Sequence, residues 1–353
     1  MKTIVEHPAS FDLFASLRPV RWWLWFVAFL IALMVLVGGA TRLTDSGLSI
    51  TQWDPISGII PPFSQASWLL EFEKYKSTTE YQTVNLGMSL SQYQFIFWWE
   101  WGHRFLGRMI GLAVFIPLVW FWLTGRLNSW LKPRLLILLF LGGFQGFIGW
   151  WMVKSGLADR VDVSQIRLAV HLTMACFLFA MTIWLARSIS DHSGDPLYGK
   201  KGQALSLIAL VFLQIFIGGL VAGLDAGMAY NTWPDMNGAF LPAGLWAITP
   251  AWQNLLDNAV TVQFFHRLTA YVLWAMCILH AVILWRGGPA TPHMRRAVLL
   301  AILVTLQAAL GIVTLIMQVP LGVALGHQFF ALIVLAFSVA HWCGLEPKQV
   351  SFF

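Results

Sequence analysis

Residues 38–62 read GGATRLTDSGLSITQWDPISGIIPP, and residues 218–242 read GGLVAGLDAGMAYNTWPDMNGAFLP. The two segments align without a gap, and the identical positions include Gly38/Gly218, Asp45/Asp225, Trp53/Trp233 and Pro62/Pro242. Self-similarity at a fixed spacing is typical of a duplicated structural unit. We therefore predict that the chain consists of two related halves.

The composition indicates the environment in which these halves fold. The 353 residues are 58% hydrophobic and 11% charged, and the mean hydropathy is +0.70. Ordinary soluble domains carry about 25% charged residues, so this chain is not one of them. Apolar stretches of about 20 residues are long enough to cross a bilayer as helices. The predicted spans are 22–41, 103–123, 134–153, 168–187, 204–224, 267–286, 296–317 and 322–343.

The sequence thus predicts an all-α membrane protein with eight transmembrane helices arranged as two pseudo-symmetric four-helix bundles. The halves would comprise residues 1–190 and 200–353, joined by a polar stretch. The repeat continues in Gln145-x3-Gly149 and Gln307-x3-Gly311. Because each half has four spans, both would have the same orientation, related by a pseudo-twofold axis along the membrane normal.

The placement of Lys and Arg predicts the orientation. With a cytoplasmic N-terminus, the short connections 124–134 and 287–296 lie inside and are basic, whereas loop 225–265 lies outside and contains neither Lys nor Arg. By the positive-inside rule, both termini are cytoplasmic. The net charge of +6 follows from this asymmetry and does not indicate nucleic-acid binding. We expect a bacterial inner-membrane protein whose partner is the lipid, with no signal-peptide pattern in its first residues.

The outer loops and the cysteines indicate which kinds of site and of covalent bond to expect. Loops 42–98 and 225–265 are rich in Trp, Pro and Gly, so we expect ordered caps over a site. Cys176, Cys277 and Cys343 all fall within or at the end of apolar spans, so a periplasmic disulfide is not expected. The sequence has no CxxCH motif for covalent haem attachment.

Each half places two histidines on predicted membrane helices: His103 and His171 in the first, His266 and His327 in the second. An ionisable side chain in lipid is a functional candidate because leaving it unpaired is costly. Imidazole is also a common axial ligand of haem iron. In the predicted topology all four histidines share one depth near the outer surface, so each half could clamp one porphyrin between two imidazoles. The alternative is that each histidine only hydrogen-bonds a neighbouring helix.

An arginine follows one histidine of each pair, as Arg104 and Arg267. A guanidinium suits bidentate pairing with carboxylates, and haem carries two propionates. We therefore predict that both arginines bind haem propionates. The alternative is that they reach toward lipid phosphate.

The two halves differ just before the first histidine of each pair. Glu100-Trp-Gly-His103 aligns with Gln263-Phe-Phe-His266. A carboxylate beside a porphyrin can accept a proton or stabilise positive charge, whereas a glutamine can do neither. We therefore predict that the N-terminal half reacts and the C-terminal half carries electrons. The alternative is a structural ion pair of Glu100 with Arg104 or Arg42.

Two further histidines allow a different function. His280 and His341 lie fourteen residues after His266 and His327, which is nearly four helical turns or about 21 Å. Two helices with this spacing could stack two haems across the membrane, as in b-type cytochromes. A quinol-linked electron-transfer cytochrome is therefore an alternative function. A transporter or a haem-handling protein is another, since parallel repeats would also suit it.

The segments GGATRLTDSGLSITQWDPISGIIPP, EWGHRFLGR, AVHL, NTWPDMNGAFLP, FFHRL and LGHQ together resemble the haem A synthase family over nearly the whole chain. The resemblance implies oxidation of the haem O C8 methyl to a formyl group by successive hydroxylations. It implies that His266 and His327 ligate a resident haem b, that His103 and His171 form the haem O site, and that Glu100 is the family's essential acidic residue. In that scheme Glu100 stabilises positive charge or takes up protons.

The resemblance also implies partners. These are a membrane farnesyltransferase that supplies haem O, oxidase assembly factors and an electron acceptor that the sequence does not identify. Some relatives carry a cysteine pair in an outer loop, which is absent from this sequence. A mechanism that requires those thiols does not transfer to this chain.

Overall fold

The computed structural model describes residues 16–54, 57–157, 160–190, 198–287 and 291–345, which contain helices and no strand. Eight of these helices are long and apolar enough to cross a membrane, which confirms the predicted class. We number them in chain order. Their bounds are α1 Arg18–Leu43, α2 Leu90–Leu123, α3 Leu131–Gly156, α4 Gln165–Ser188, α5 Tyr198–Gly223, α6 Ala259–Arg286, α7 Pro292–Ile316 and α8 Leu321–Cys343.

Two helices begin earlier than the sequence predicted. Helix α2 begins at Leu90 instead of residue 103, and α6 begins at Ala259 instead of residue 267. Ser89 caps the first of these starts in a capping box, and Asn258 caps the second. The prediction was wrong because polar side chains in the extra turns lower the hydropathy, although the helix itself continues. His103 and His266 therefore lie inside helices and not at their first turn.

The helices contact one another in two rings. In the first, α1 and α3 each pack on α2 and α4; in the second, α5 and α7 each pack on α6 and α8. The rings meet where α4 packs on α5 and α8, and where α8 packs on α1. Fully buried apolar side chains such as Ile183, Leu207 and Leu335 fill this junction. A symmetry axis relating the rings stays a prediction.

Corresponding glycines bring helices close together at the junction. A Cβ added to Gly219 of α5 would lie 2.8 Å from the Cα of Ala169 in α4. Gly39, its counterpart in α1, faces the side chain of Gln328 in α8, whose Nε2 donates to the carbonyl of Val35 at 2.8 Å. A side chain at either glycine would separate the helices, so the repeated Gly-Gly pair has a packing role.

An ion-pair network joins the ends of α1 and α5. Arg42 donates to Asp45 at 2.8 Å and to both carboxylate oxygens of Asp225 at 2.9 and 3.0 Å. Both aspartates adopt a left-handed backbone conformation, with φ of 48° and 49°. Aspartate tolerates this conformation better than most residues do. The duplicated aspartate thus ends each helix and shares one guanidinium.

The described parts of the outer loops fold into ordered caps. Segments 44–89 and 224–258 lie at the same end of the helices, which we call the capped end. In the first cap, helix Gln65–Lys76 packs on α2. An aromatic cluster there includes Tyr93, whose ring centroid lies 5.0 Å from Phe72 and 5.2 Å from Tyr75.

The cysteines and His293 lie in buried parts of the helical bundle. Cys176, Cys277 and Cys343 are buried on α4, α6 and α8. His293 lies in a polar stretch of the sequence but is buried, and its Nδ1 lies 2.7 Å from Nη2 of Arg296. The polar segment before α7 folds back against the end of α8, where Arg296 also donates to the carbonyl of Gly344. His7 and His192 lie outside the described residues.

The first cap contains a buried acid. Glu80 accepts a hydrogen bond from the Tyr75 hydroxyl at 3.1 Å. Burial raises the pKa of Glu80 from 4.5 to about 7, and the Tyr75 hydrogen bond opposes this only in part. Between these values the folded cap holds a proton that the unfolded chain has released. The folded cap is therefore most stable when Glu80 is protonated. This stabilisation is complete below pH 4.5 and is lost as the pH rises through about 7.

We predict that Glu80→Gln removes this pH dependence. In the wild-type protein, hydrogen-exchange protection of residues 65–83 should fall severalfold between about pH 5 and pH 8, because deprotonation leaves a buried charge. In Glu80→Gln the protection should be equal at both pH values. Glu73→Gln removes only an exposed ion pair with Lys76 and should behave like the wild type. A Glu80→Gln protein with the wild-type pH dependence would contradict the assignment.

Candidate functional site

The four predicted histidines share one arrangement, in which each ring lies against a glycine of the preceding helix. All four rings are partly exposed although the helices around them are apolar. A ring can approach a helix this closely only where no side chain intervenes. A Cβ added to the glycine would lie 3.0 Å from the ring in the pair Gly38/His103, 2.9 Å in Gly149/His171, 3.2 Å in Gly218/His266 and 2.7 Å in Gly311/His327.

The structure brings the histidines together in the pairs that the sequence predicted. His103 on α2 and His171 on α4 belong to the first ring of helices, and His266 on α6 and His327 on α8 belong to the second. Within each ring the two helices that carry histidines are alternate members, and both contact the same neighbours. Each half therefore carries two imidazoles on helices that lie opposite each other in a ring of four.

Three of the imidazoles are also contacted by a glutamine, one helical turn before the glycine. These are Gln145 for His171, Gln214 for His266 and Gln307 for His327. Each Nε2 donates to the main-chain carbonyl of its histidine at 3.0 Å and lies 3.2 Å from Nδ1. Sequence reasoning matched two of these glutamines but missed Gln214. The sequence did contain a signal for Gln214, because Gln214-x3-Gly218 on α5 has the same spacing as the other two glutamine–glycine pairs.

The glutamines leave an unpaired atom beside the rings. In the part of the chain that the structure describes, the buried Oε1 atoms of Gln145 and Gln307 have no hydrogen-bond partner. After a half-turn of either amide, this oxygen would accept a hydrogen bond from Nδ1–H, in exchange for the amide's bond to the main-chain carbonyl. That tautomer keeps the Nε2 lone pair free for a metal. The facing imidazoles and these flanking amides therefore fit axial ligands of a haem.

Glu100 is buried, with 2% of its surface exposed. Its Oε1 accepts from Nη2 of Arg104 at 2.6 Å, and its Oε2 accepts from the Ser49 hydroxyl and the Ile50 N–H, each at 2.8 Å. The ion pair with Arg104, which the sequence left open, is therefore present. Arg42 pairs with Asp45 and Asp225 instead. The first cap thus fixes a carboxylate three residues before His103.

In the second half, the uncharged Gln263 takes the place of Glu100. Nε2 of Gln263 donates to the carbonyl of Tyr230 at 2.9 Å. Tyr230 corresponds to Ile50 in the repeat, so the same loop position offers a donor to Glu100 and an acceptor to Gln263. The two sites share their architecture and differ in one buried negative charge.

Arg104 and Arg267 bind the caps in the same way. Each guanidinium donates to two loop carbonyls that occupy corresponding positions of the repeat. The bonds are Arg104 to Ile50 at 3.0 Å and to Gln52 at 2.9 Å, and Arg267 to Tyr230 and Thr232, each at 2.9 Å. The arginines therefore hold each cap next to an imidazole pair. Their predicted contact with haem propionates stays a prediction.

His280 and His341 form a different kind of pair. Their Nε2 atoms are 2.8 Å apart, and Nδ1 of His280 lies 3.2 Å from Oε1 of Gln203. Two imidazoles that ligate one haem iron from opposite faces need about 4 Å between their nitrogens, since each bond is about 2 Å long. The geometry is that of a hydrogen-bonded pair. It does not have the spacing for a second haem in this half, which the cytochrome alternative required.

By its fold and site, the chain is a multi-pass membrane protein with paired imidazoles of the kind that hold haem iron. Residues 21–339 match the family described as cytochrome oxidase assembly protein, COX15-CtaA. The chain belongs to this family.

Curated relatives agree over nearly the full length. The chain is 56% identical to the heme A synthase of Chelativorans sp. (strain BNC1), over 92% of this chain and 90% of the relative. It is 55% identical to that of Agrobacterium fabrum, over 93% and 90%, and 53% identical to that of Brucella ovis, over 92% and 91%. The resemblance noted from the motifs is confirmed.

We predict that Gly149→Ala weakens haem binding about tenfold or more. The added Cβ would lie 2.9 Å from the His171 ring, so the imidazole must move away from its place. Gly146→Ala on the same helix is the matched control, because a Cβ there meets nothing within 4 Å. Absorbance titration with added haem measures both variants. Equal affinities for the two variants would contradict a role of the glycine in seating the ring.

Proposed function

We propose that this protein acts as a haem A synthase, which oxidises the C8 methyl of haem O to a formyl group and so provides haem A for cytochrome oxidase. One observation carries the proposal: a buried carboxylate, Glu100, lies three residues before His103 on α2, and Gln263 lies at the same place before His266 on α6. Membership of the oxidase assembly family and the named relatives support the same activity.

In this proposal the two imidazole pairs have different porphyrins. His266 and His327 hold a resident haem b, which supplies electron transfer when bound. His103 and His171 receive haem O as the substrate. Two glutamines contact the C-terminal pair and one contacts the N-terminal pair, so the C-terminal pair, which is held more firmly, is assigned to the permanent cofactor. The N-terminal four-helix half is then the reacting half, and the C-terminal half carries electrons.

Glu100 is proposed to stabilise positive charge that develops on the substrate. Each hydroxylation with oxygen from water releases an electron pair and two protons, so the porphyrin passes through electron-poor states. Three donors already engage the two carboxylate oxygens, which fixes the negative charge in place. A preorganised charge of this kind acts without reorganisation during the reaction. Proton uptake by Glu100 is the second role, through its remaining acceptor capacity.

Arg104 and Arg267 are proposed to bind propionates. Each arginine follows an iron ligand in sequence and reaches the cap above it. A propionate there would share a guanidinium that is already held by loop carbonyls, and bidentate pairing would orient the porphyrin relative to Glu100.

The proposed location is the bacterial inner membrane with both termini in the cytoplasm. The distribution of Lys and Arg supports this orientation. All four histidines lie on helices that begin at the capped end, so the haem sites would face the periplasmic side. A membrane farnesyltransferase would supply haem O. Oxidase assembly factors and an electron acceptor would be further partners.

We predict that Glu100→Gln lowers haem A formation about a hundredfold or more and leaves the resident haem b in place. The substitution keeps the size of the side chain and removes its charge, as in the second half. The readout is haem extraction and reverse-phase chromatography after co-expression with a haem O source. Glu73→Gln in the exposed part of the first cap should retain wild-type activity. A normal haem A yield from Glu100→Gln would overturn the catalytic assignment.

A further inference from the structure

The imidazole of His103 differs from the other three in what holds it. In α3, α5 and α7, the residue one turn before the ring-facing glycine is Gln145, Gln214 or Gln307, and each contacts its histidine. In α1 the residue at that position is Met34, four residues before Gly38. Among the described residues, no side chain hydrogen-bonds to the His103 ring.

Met34 occupies the space next to His103 without replacing the amide. Its terminal carbon would lie 3.2 Å from a Cβ on Gly107, which is one helical turn after His103 on α2. A thioether sulfur is a weak acceptor and carries no donor. It can neither bond to the main-chain carbonyl of the histidine nor set the tautomer of the ring.

From this difference we infer that His103 is the exchangeable iron ligand of the N-terminal site, and that Met34 makes it so. The inference rests on the proposed function, in which this site must take up one porphyrin and release another. Outer-sphere hydrogen bonds fix a ligand's orientation and strengthen its bond to the metal. His171 keeps its glutamine and is the firm ligand, whereas His103 can leave the iron. His266 and His327 both keep theirs, which suits a porphyrin that stays.

Gln145, Gln214 and Gln307 are accordingly positioning residues, and Met34 determines which site exchanges its porphyrin. The haem-loaded full-length protein provides the test. Protohaem fills the sites, and its transfer to an excess of apomyoglobin is followed by absorbance, without haem O or turnover. The wild-type protein should release haem in a fast phase from the N-terminal site and in a slow phase from the C-terminal site.

We predict that Met34→Gln slows the fast phase about tenfold, which is the effect of about 1.4 kcal/mol and thus of one hydrogen bond. Met34→Leu has a similar volume and no hydrogen-bonding group, so its fast phase should stay at the wild-type rate. Gln307→Met should accelerate the slow phase about tenfold. It should also raise the reduction potential of the haem that remains, because the axial imidazole donates less charge.

The inference is overturned if Met34→Gln and Met34→Leu exchange haem at the same rate. It is also overturned if Gln307→Met leaves both the slow phase and the potential unchanged. Gln307→Met keeps the test open should Met34→Gln fail to fold. These rates do not depend on turnover. A protein that makes no haem A but shows the predicted rates would contradict only the proposed function.

Discussion

The contact between a flat imidazole and a glycine on the neighbouring helix is the constraint on which the rest of the structure depends. It occurs four times, and it sets how closely α1, α3, α5 and α7 approach the helices that carry histidines. An ionisable ring in lipid is costly unless it has partners, so these helices are built around the rings. The duplicated Gly-Gly at the end of α1 and α5 serves both needs: Gly38 and Gly218 seat rings, while Gly39 and Gly219 bring the two halves together.

The two halves share this arrangement and differ at two positions next to the histidines. Glu100 in place of Gln263 adds a buried negative charge to the N-terminal site, and the first cap secures it through Ser49 and Ile50. Met34 in place of Gln214 removes the amide from one ligand of that same site. Both differences fall in the N-terminal half, where the proposed reaction takes place. The C-terminal half keeps both amides and lacks the charge, which suits the electron carrier that we propose for it.

The sequence predicted much of the fold, because hydropathy reports bilayer crossing directly and the duplication put four histidines in register. It misplaced the starts of α2 and α6, since a capped helix continues through polar turns that hydropathy does not recognise. It could not show that Arg104 and Arg267 bind loop carbonyls, because the loop conformation exists only after the helices pack. The direct contact of His280 with His341 depends on the relative rotation of two helices, which no single periodicity fixes.

The central claim is that two imidazole pairs hold two different porphyrins, one permanent and one converted. Haem extraction from the purified wild-type protein, co-expressed with a haem O source, tests it most directly through reverse-phase chromatography and mass spectrometry. The account predicts haem B together with haem A or hydroxylated haem O. Haem B alone, at two or more per chain and unchanged by the supply of haem O, would contradict it and indicate an electron-transfer cytochrome.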